Sequence, residues 1–185
     1  MNAIQKLIVS TSLAALATPA LASNFEVGIG LHDKMLQAEV QGLYHQFSAG
    51  MGVEYNYHVN GGQFFGVDLF KQYQSNIHEF NFGIKYHSSW LKERSNSNNN
   101  TISLGGQYKI EVVKNFYLNA QGFYAPRILT FGEDYKQFYR INCGIQWEML
   151  PDLIASAGYN KITYGYEDIN YQYDNSFLIS FKMKF

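Results

Sequence analysis

Phe47-Ser48-Ala49-Gly50-Met51-Gly52-Val53-Glu54-Tyr55-Asn56-Tyr57-His58-Val59 is the most regular stretch of the chain. Every odd position is apolar or aromatic, and every even one is Ser, Gly, Glu, Asn or His. Only an extended strand sends alternate side chains to opposite faces, so this run is a strand with one apolar side. It is long beside the usual globular strand of about 5–6 residues.

The same period recurs from one end of the chain to the other. Phe25, Val27, Ile29 and Leu31 alternate with Glu26, Gly28, Gly30 and His32, and Leu36, Ala38 and Val40 with Gln37, Glu39 and Gln41. Phe65, Val67 and Leu69 alternate with Gly66, Asp68 and Phe70, and Phe80, Phe82, Ile84 and Tyr86 with Glu79, Asn81, Gly83, Lys85 and His87. Ile102, Leu104, Tyr108, Ile110 and Val112 oppose Ser103, Gly105, Gln107, Lys109 and Glu111. Phe116, Leu118, Ala120 and Tyr124 oppose Tyr117, Asn119, Gln121 and Phe123. Tyr139, Ile141, Cys143, Ile145 and Trp147 oppose Arg140, Asn142, Gly144, Gln146 and Glu148. Leu153, Ala155, Ala157 and Tyr159 oppose Ile154, Ser156, Gly158 and Asn160, and Phe177, Ile179, Phe181, Met183 and Phe185 oppose Leu178, Ser180, Lys182 and Lys184. Ten strands and no helix are predicted.

Composition narrows the class. The 185 residues suit one domain, and an aromatic share of 17% is too high for a disordered chain. A net charge of −1 offers nucleic acid no electrostatic footing, and one Cys cannot close an internal disulfide. Fifteen Tyr and fourteen Phe accompany a mean hydropathy of only −0.23. No segment after residue 22 approaches the ~18–20 apolar residues of a spanning helix. Sorting by face reconciles these numbers, with aromatics against lipid and Gly and charges in a lumen.

Residues 1–22 read as a secretory signal peptide. Lys6 precedes the mild apolar stretch Leu7–Ala17, and Ala20-Leu21-Ala22 supplies an A-x-A cleavage site. No Cys follows that site, so a lipoprotein is not expected. The barrel domain is then 23–185.

The links after the second, fourth, sixth and eighth strands are short, at 43–46, 74–76, 113–115 and 150–152. The other set includes three long polar loops, 88–100, 126–136 and 163–174. Short turns at one end and long loops at the other are the arrangement of outer-membrane barrels, whose short turns are periplasmic. A soluble barrel has the same period with its apolar face inside. Three observations favour the membrane. The polar face carries both signs, Glu26, Glu39, Glu54, Asp68, Glu79, Glu111 and Glu148 against Lys85, Lys109, Arg140, Lys182 and Lys184, which pair in a narrow lumen. That face is also rich in Gly, which a soluble exterior has no reason to place in strands. The apolar face is nearly free of charge and carries aromatics such as Tyr86, Tyr124 and Trp147 towards strand ends, as an interfacial girdle does. Lys71 and Lys161 break it only where a long stem can snorkel. Hydrocarbon offers the backbone no hydrogen bonds, so such strands must close. The chain is predicted to be an all-β, up-and-down antiparallel transmembrane barrel of ten strands, or eight if either end pairs less, in the bacterial outer membrane.

Gly105-Gly106-Gln107-Tyr108-Lys109-Ile110, Asn115 through Pro126 (NFYLNAQGFYAP), Ala157-Gly158-Tyr159 and the terminal strand resemble the YfaZ family of small outer-membrane proteins. The likeness is strongest over 100–185. It implies a monomeric barrel with outer-membrane lipid as its surroundings and no established catalytic residues to carry over. The last strand, ending in Phe185, resembles the C-terminal signal read by the barrel assembly machinery.

Candidates for chemistry are few. His32, His58 and His87 sit on the polar face at the predicted extracellular ends of the first, third and fifth strands, where they could converge on a metal or titrate. Asp33 with His32, or Glu133 and Asp134 with His87, could serve a barrel hydrolase acting on lipid or peptide; Ser88 and Ser89 follow His87 but face opposite ways. Glu54, Asp68, Lys85, Lys109 and Arg140 could set the selectivity of a narrow passive channel, or pair into a rigid plug. Cys143 reads as a lipid-facing hydrophobe. No phosphate loop, zinc spacing or triad signature occurs, so no cofactor, metal or catalytic residue is expected. A structural or interaction role is favoured, with the enzyme as the alternative.

Overall fold

The alternating runs fold into long strands in the computed structural model, which describes residues 24–92, 97–132 and 135–185. The strands are β1 (Asn24–His32), β2 (Met35–Tyr44), β3 (Ala49–His58), β4 (Gly62–Ser75), β5 (His78–Leu91), β6 (Ser97–Val113), β7 (Phe116–Ala125), β8 (Thr130–Phe131), β9 (Tyr135–Leu150), β10 (Leu153–Tyr166) and β11 (Asn170–Lys184). All pairings are antiparallel; the long strands pair with their neighbours in sequence and the first with the last, while the two-residue β8 lies on β6 beside the β7–β9 pair. β1 pairs with β11, and β5 with β6, so the ten long strands form a closed barrel. At the seam the backbones of Phe25 and Phe185 exchange both hydrogen bonds, and their rings stack at 4.8 Å.

Alternation becomes inside and outside. On β9, Ile141 and Ile145 are 49% and 53% exposed, whereas Arg140 between their faces is 2% exposed. The outer wall repeats this with Ile29, Phe82, Leu118, Ile179 and Phe181. Lys71 reaches back to the Phe47 carbonyl, and Lys161 lies 5.7 Å from the Tyr139 ring, so both cations on this wall are occupied.

The expected short turns are present. Asn76 and Asn115 take positive φ in two-residue hairpin turns, a conformation Asn tolerates better than most side chains. At the other end the structure departs from expectation. β5, β6, β10 and β11 run through most of 88–100 and 163–174, and 126–136 contains a 3-10 turn (Arg127–Leu129) and β8. The polar Asn run pairs in register with Ser88–Leu91, because backbone pairing does not need an apolar face. These strand extensions bring Leu91, Tyr135, Tyr164, Tyr166 and Tyr173 into the lumen beside Phe64, Phe138 and Ile162, where they form a buried core. Sorting by face is therefore incomplete. The loop-end half of the lumen has an aromatic core of its own. Residues 1–22, Glu133 and Asp134 lie outside the described residues.

Candidate functional site: a braced and capped lumen

Glu54 and Arg140 define the middle of the barrel. They stand on β3 and β9, which are five strands apart in either direction round the ring of ten, and so on opposite walls. Arg140 Nη1 donates to Glu54 Oε1 at 2.8 Å and Oε2 at 2.7 Å. Lys85 Nζ on β5 adds a third bond to Oε1 at 3.2 Å and approaches Asp68 on β4 at 3.5 Å. The Glu54, Arg140 and Lys85 side chains are 4%, 3% and 6% exposed. Burying such charges costs several kcal/mol per ion, so they persist because each meets an opposite charge at hydrogen-bond distance.

Glycines provide the seats. A Cβ on Gly66 would fall 2.9 Å from the Glu54 side chain, and one on Gly52 would fall 2.6 Å from Asp68 Oδ1. The inward Gly of β3 and β4 thus allow long acidic side chains to lie flat along the wall.

Towards the loop end the brace is roofed by rings. Phe64 lies 4.8 Å from His87, 6.4 Å from Phe138 and 6.2 Å from Tyr173; Phe138 and Tyr164 are 5.2 Å apart, and Tyr164 and Tyr173 6.0 Å. All five side chains are essentially inaccessible. Because β4 and β9 stand on facing walls, the rings span the bore.

Towards the turn end the lumen loosens. Lys109 pairs with Glu79 at 2.7 Å, Lys182 with Glu39 at 2.6 Å, and Lys184 with Glu148 at 2.7 Å, with side-chain exposures of 18–32%. Tyr117 also donates to Glu148, and its ring lies 5.2 Å from Lys109 Nζ. Glu26 is in register with Lys184, and Glu111 accepts the Asn115 backbone N–H at the turn. Solvent access falls from this end inward until it stops at the Glu54–Arg140 brace.

A family model described as YfaZ precursor matches residues 3–183. The chain belongs to the YfaZ family. Its fold is similar to that of the NanC porin, with a TM-score of 0.51 at 14% identity over 88% of this chain and 99% of that one. The KdgM porin gives 0.48 at 12% identity, with the same coverages, and the outer membrane channel DcaP of Acinetobacter baumannii gives 0.47 at 10%, over 85% of this chain and 54% of DcaP. The YfaZ-family chain thus spans about half the length of DcaP. No curated protein matches it. At these identities the likeness is one of fold, and the fold is that of outer-membrane barrels.

The YfaZ-family barrel separates His87 from the other two histidines, which both stand near Asp174 at the mouth. His87 is not at the rim: β5 continues to Leu91, so the imidazole sits inside, 4.7 Å from the Phe138 ring and bonded to Ser103 Oγ at 2.9 Å. His58 is near the mouth, where its Nδ1 accepts from the Gly61 N–H at 2.7 Å. His32 is buried against Asp174, Nδ1 to Oδ2 at 3.0 Å. Among the described residues no three His, Cys, Asp or Glu gather as a metal set.

Asp174 was not apparent in sequence, because it lay in a stretch expected to be loop. It collects His32, Ser176 Oγ at 2.7 Å and Asn160 Nδ2 at 2.6 Å. This is a Ser, a His and an Asp, but not a proton relay. Ser176 also faces His32 through Nδ1, at 3.2 Å, the nitrogen that already meets Asp174. A relay needs the two partners on different ring nitrogens. Asp33 lines the mouth near His58, and Ser88 and Ser89 are tied to Asn98 and to the Asn99 carbonyl.

Proposed function

We propose that this outer-membrane barrel is closed to ions and acts as a structural and interaction protein through its outer wall and loop end. The observation that carries this reading is the Glu54–Arg140 brace spanning the bore beneath a roof of fully buried rings. An ion entering from the turn end meets charges already neutralised by one another, and then a layer of packed, buried rings with little to replace its hydration shell.

Refolded protein in planar bilayers at high salt tests it. The unmodified barrel is expected to give a flat trace, and Phe64→Ala/Phe138→Ala/Arg140→Met to give discrete steps. Regular unitary steps from the unmodified barrel would overturn the proposal in favour of a narrow passive channel.

A further inference from the structure

Between the charged brace and the turn end runs a row of carboxamides. Strand register places Gln72 of β4 beside Asn81 of β5, then Gln107 of β6, Gln121 of β7 and Asn142 of β9, five amides on five consecutive barrel strands. All occupy inward positions of the alternation. Asn81, Gln107, Gln121 and Asn142 line one cavity of about 110 Å³. We infer that this cavity is a binding site for a small uncharged polyol, reached from the turn end.

Charge comes first. The ionised side chains lining the cavity are Glu39, Glu54 and Asp68 against Lys85, Arg140 and Lys182. They balance and already face one another, so the site offers an ion no net attraction. What remains are neutral groups that both donate and accept.

The orientation of two amides is set by chemistry. Asn81 Nδ2 donates to Glu79 and Gln37 Nε2 to Glu39, and an ionised carboxylate only accepts. The amide oxygens are therefore turned away from those carboxylates. Asn81 Oδ1 and Gln37 Oε1 are buried without a protein partner, as is Asn119 Oδ1, and all three residues line the cavity. Asn81 and Gln37 are themselves only 8% and 7% exposed. Those three oxygens are closed off from the cavity, which leaves the Gln107, Gln121 and Asn142 amides, with donors and acceptors alike, to meet a hydroxyl-rich ligand. Phe70 and Phe123 also line it and offer apolar surface to a carbon backbone.

Size completes the specification. An engineered cavity of about 150 Å³ accommodates benzene, with six non-hydrogen atoms. A cavity of about 110 Å³ suits a molecule of glycerol size rather than a sugar chain. The gradient of exposure in the ion pairs Lys109–Glu79 and Lys184–Glu148 marks the entrance. Because the site lies on the turn-end side of the brace, it stands whether or not ions pass.

The test is titration of the ¹⁵N-labelled barrel in micelles with glycerol, following the side-chain amide resonances. Saturable shifts confined to the lumen amides are expected, with no such shifts from malonate, a charged molecule of similar size. Gln107→Leu and Asn142→Leu, each checked for a folded barrel by its heat-modifiable gel mobility, are expected to weaken binding at least tenfold. Shifts that rise linearly and spread over exposed amides, saturation unchanged in both variants, or no shift at all would mean that the cavity holds water only and would overturn the inference. Bilayer conductance reads the closure separately, so the two proposals fail by different results.

Discussion

Replacing Arg140 by methionine would leave the Glu54 carboxylate in the middle of the barrel with Lys85 as its remaining cationic partner, and Lys85 is shared with Asp68. Two charge-assisted bonds of 2.7 and 2.8 Å are lost, and the freed carboxylate is only 4% exposed. Removing one partner of a buried pair costs about 3–5 kcal/mol; with Lys85 still at 3.2 Å the lower end applies, about 3 kcal/mol. Glu54→Leu should cost a similar ~3 kcal/mol by stranding the guanidinium. The double variant leaves no stranded charge, because Lys85 retains Asp68, and its cost should be only about 2 kcal/mol, since buried pairs exchanged for apolar groups are often near neutral. The shortfall, roughly 4 kcal/mol, is the coupling across the bore. Urea titrations of barrel refolded into lipid vesicles, followed by the fluorescence of Trp90 and Trp147, would measure all four corners. Because the pair is buried, raising salt to 1 M should change the coupling little. Additive costs, or an Arg140→Met variant within about 0.5 kcal/mol of the parent, would refute the idea that the brace holds the walls together.

Two further substitutions separate the inner wall from the outer one. Gly66→Val adds side-chain carbon where Glu54 lies 2.9 Å from a Cβ position; it should destabilise by about 1–3 kcal/mol, and less than additively with Arg140→Met, in the same urea assay. Ile145→Lys puts a cation on the lipid-facing wall and should cost about 2–4 kcal/mol at the midplane, whereas Gln146→Lys, one residue on and inward, should cost far less; equal costs in vesicle refolding would contradict the assignment of faces.

Much of the barrel was legible from residue types alone, for reasons visible in particular strands. On β3 and over Tyr139–Glu148 of β9 the period of two is unbroken and the two faces differ in chemistry, so strand, face and solvent all follow. The Asn turns were legible because short polar links leave few backbone options. The loop end was not. Segments such as Asn98–Thr101 and Thr163–Asp174 are polar or aromatic on both faces above the lipid, so alternation carries no signal there, and the aromatic core and Asp174 were missed with them. The alternation points His87 to the rim for the same reason: the readable pattern ends there, while the strand continues to Leu91.

Pairings across the lumen lie beyond any local pattern. Alternation is a property of one strand, decided by whether neighbouring side chains face lipid or lumen, and the sequence by itself determines it. Which lumen residues meet depends on closure, because only a ring of ten strands puts β3 opposite β9 and brings Glu54 to Arg140. The sequence determined the wall, its solvent and the stock of charges. The tertiary structure decided that those charges bridge the bore, that rings close it above them, and that a row of amides remains below.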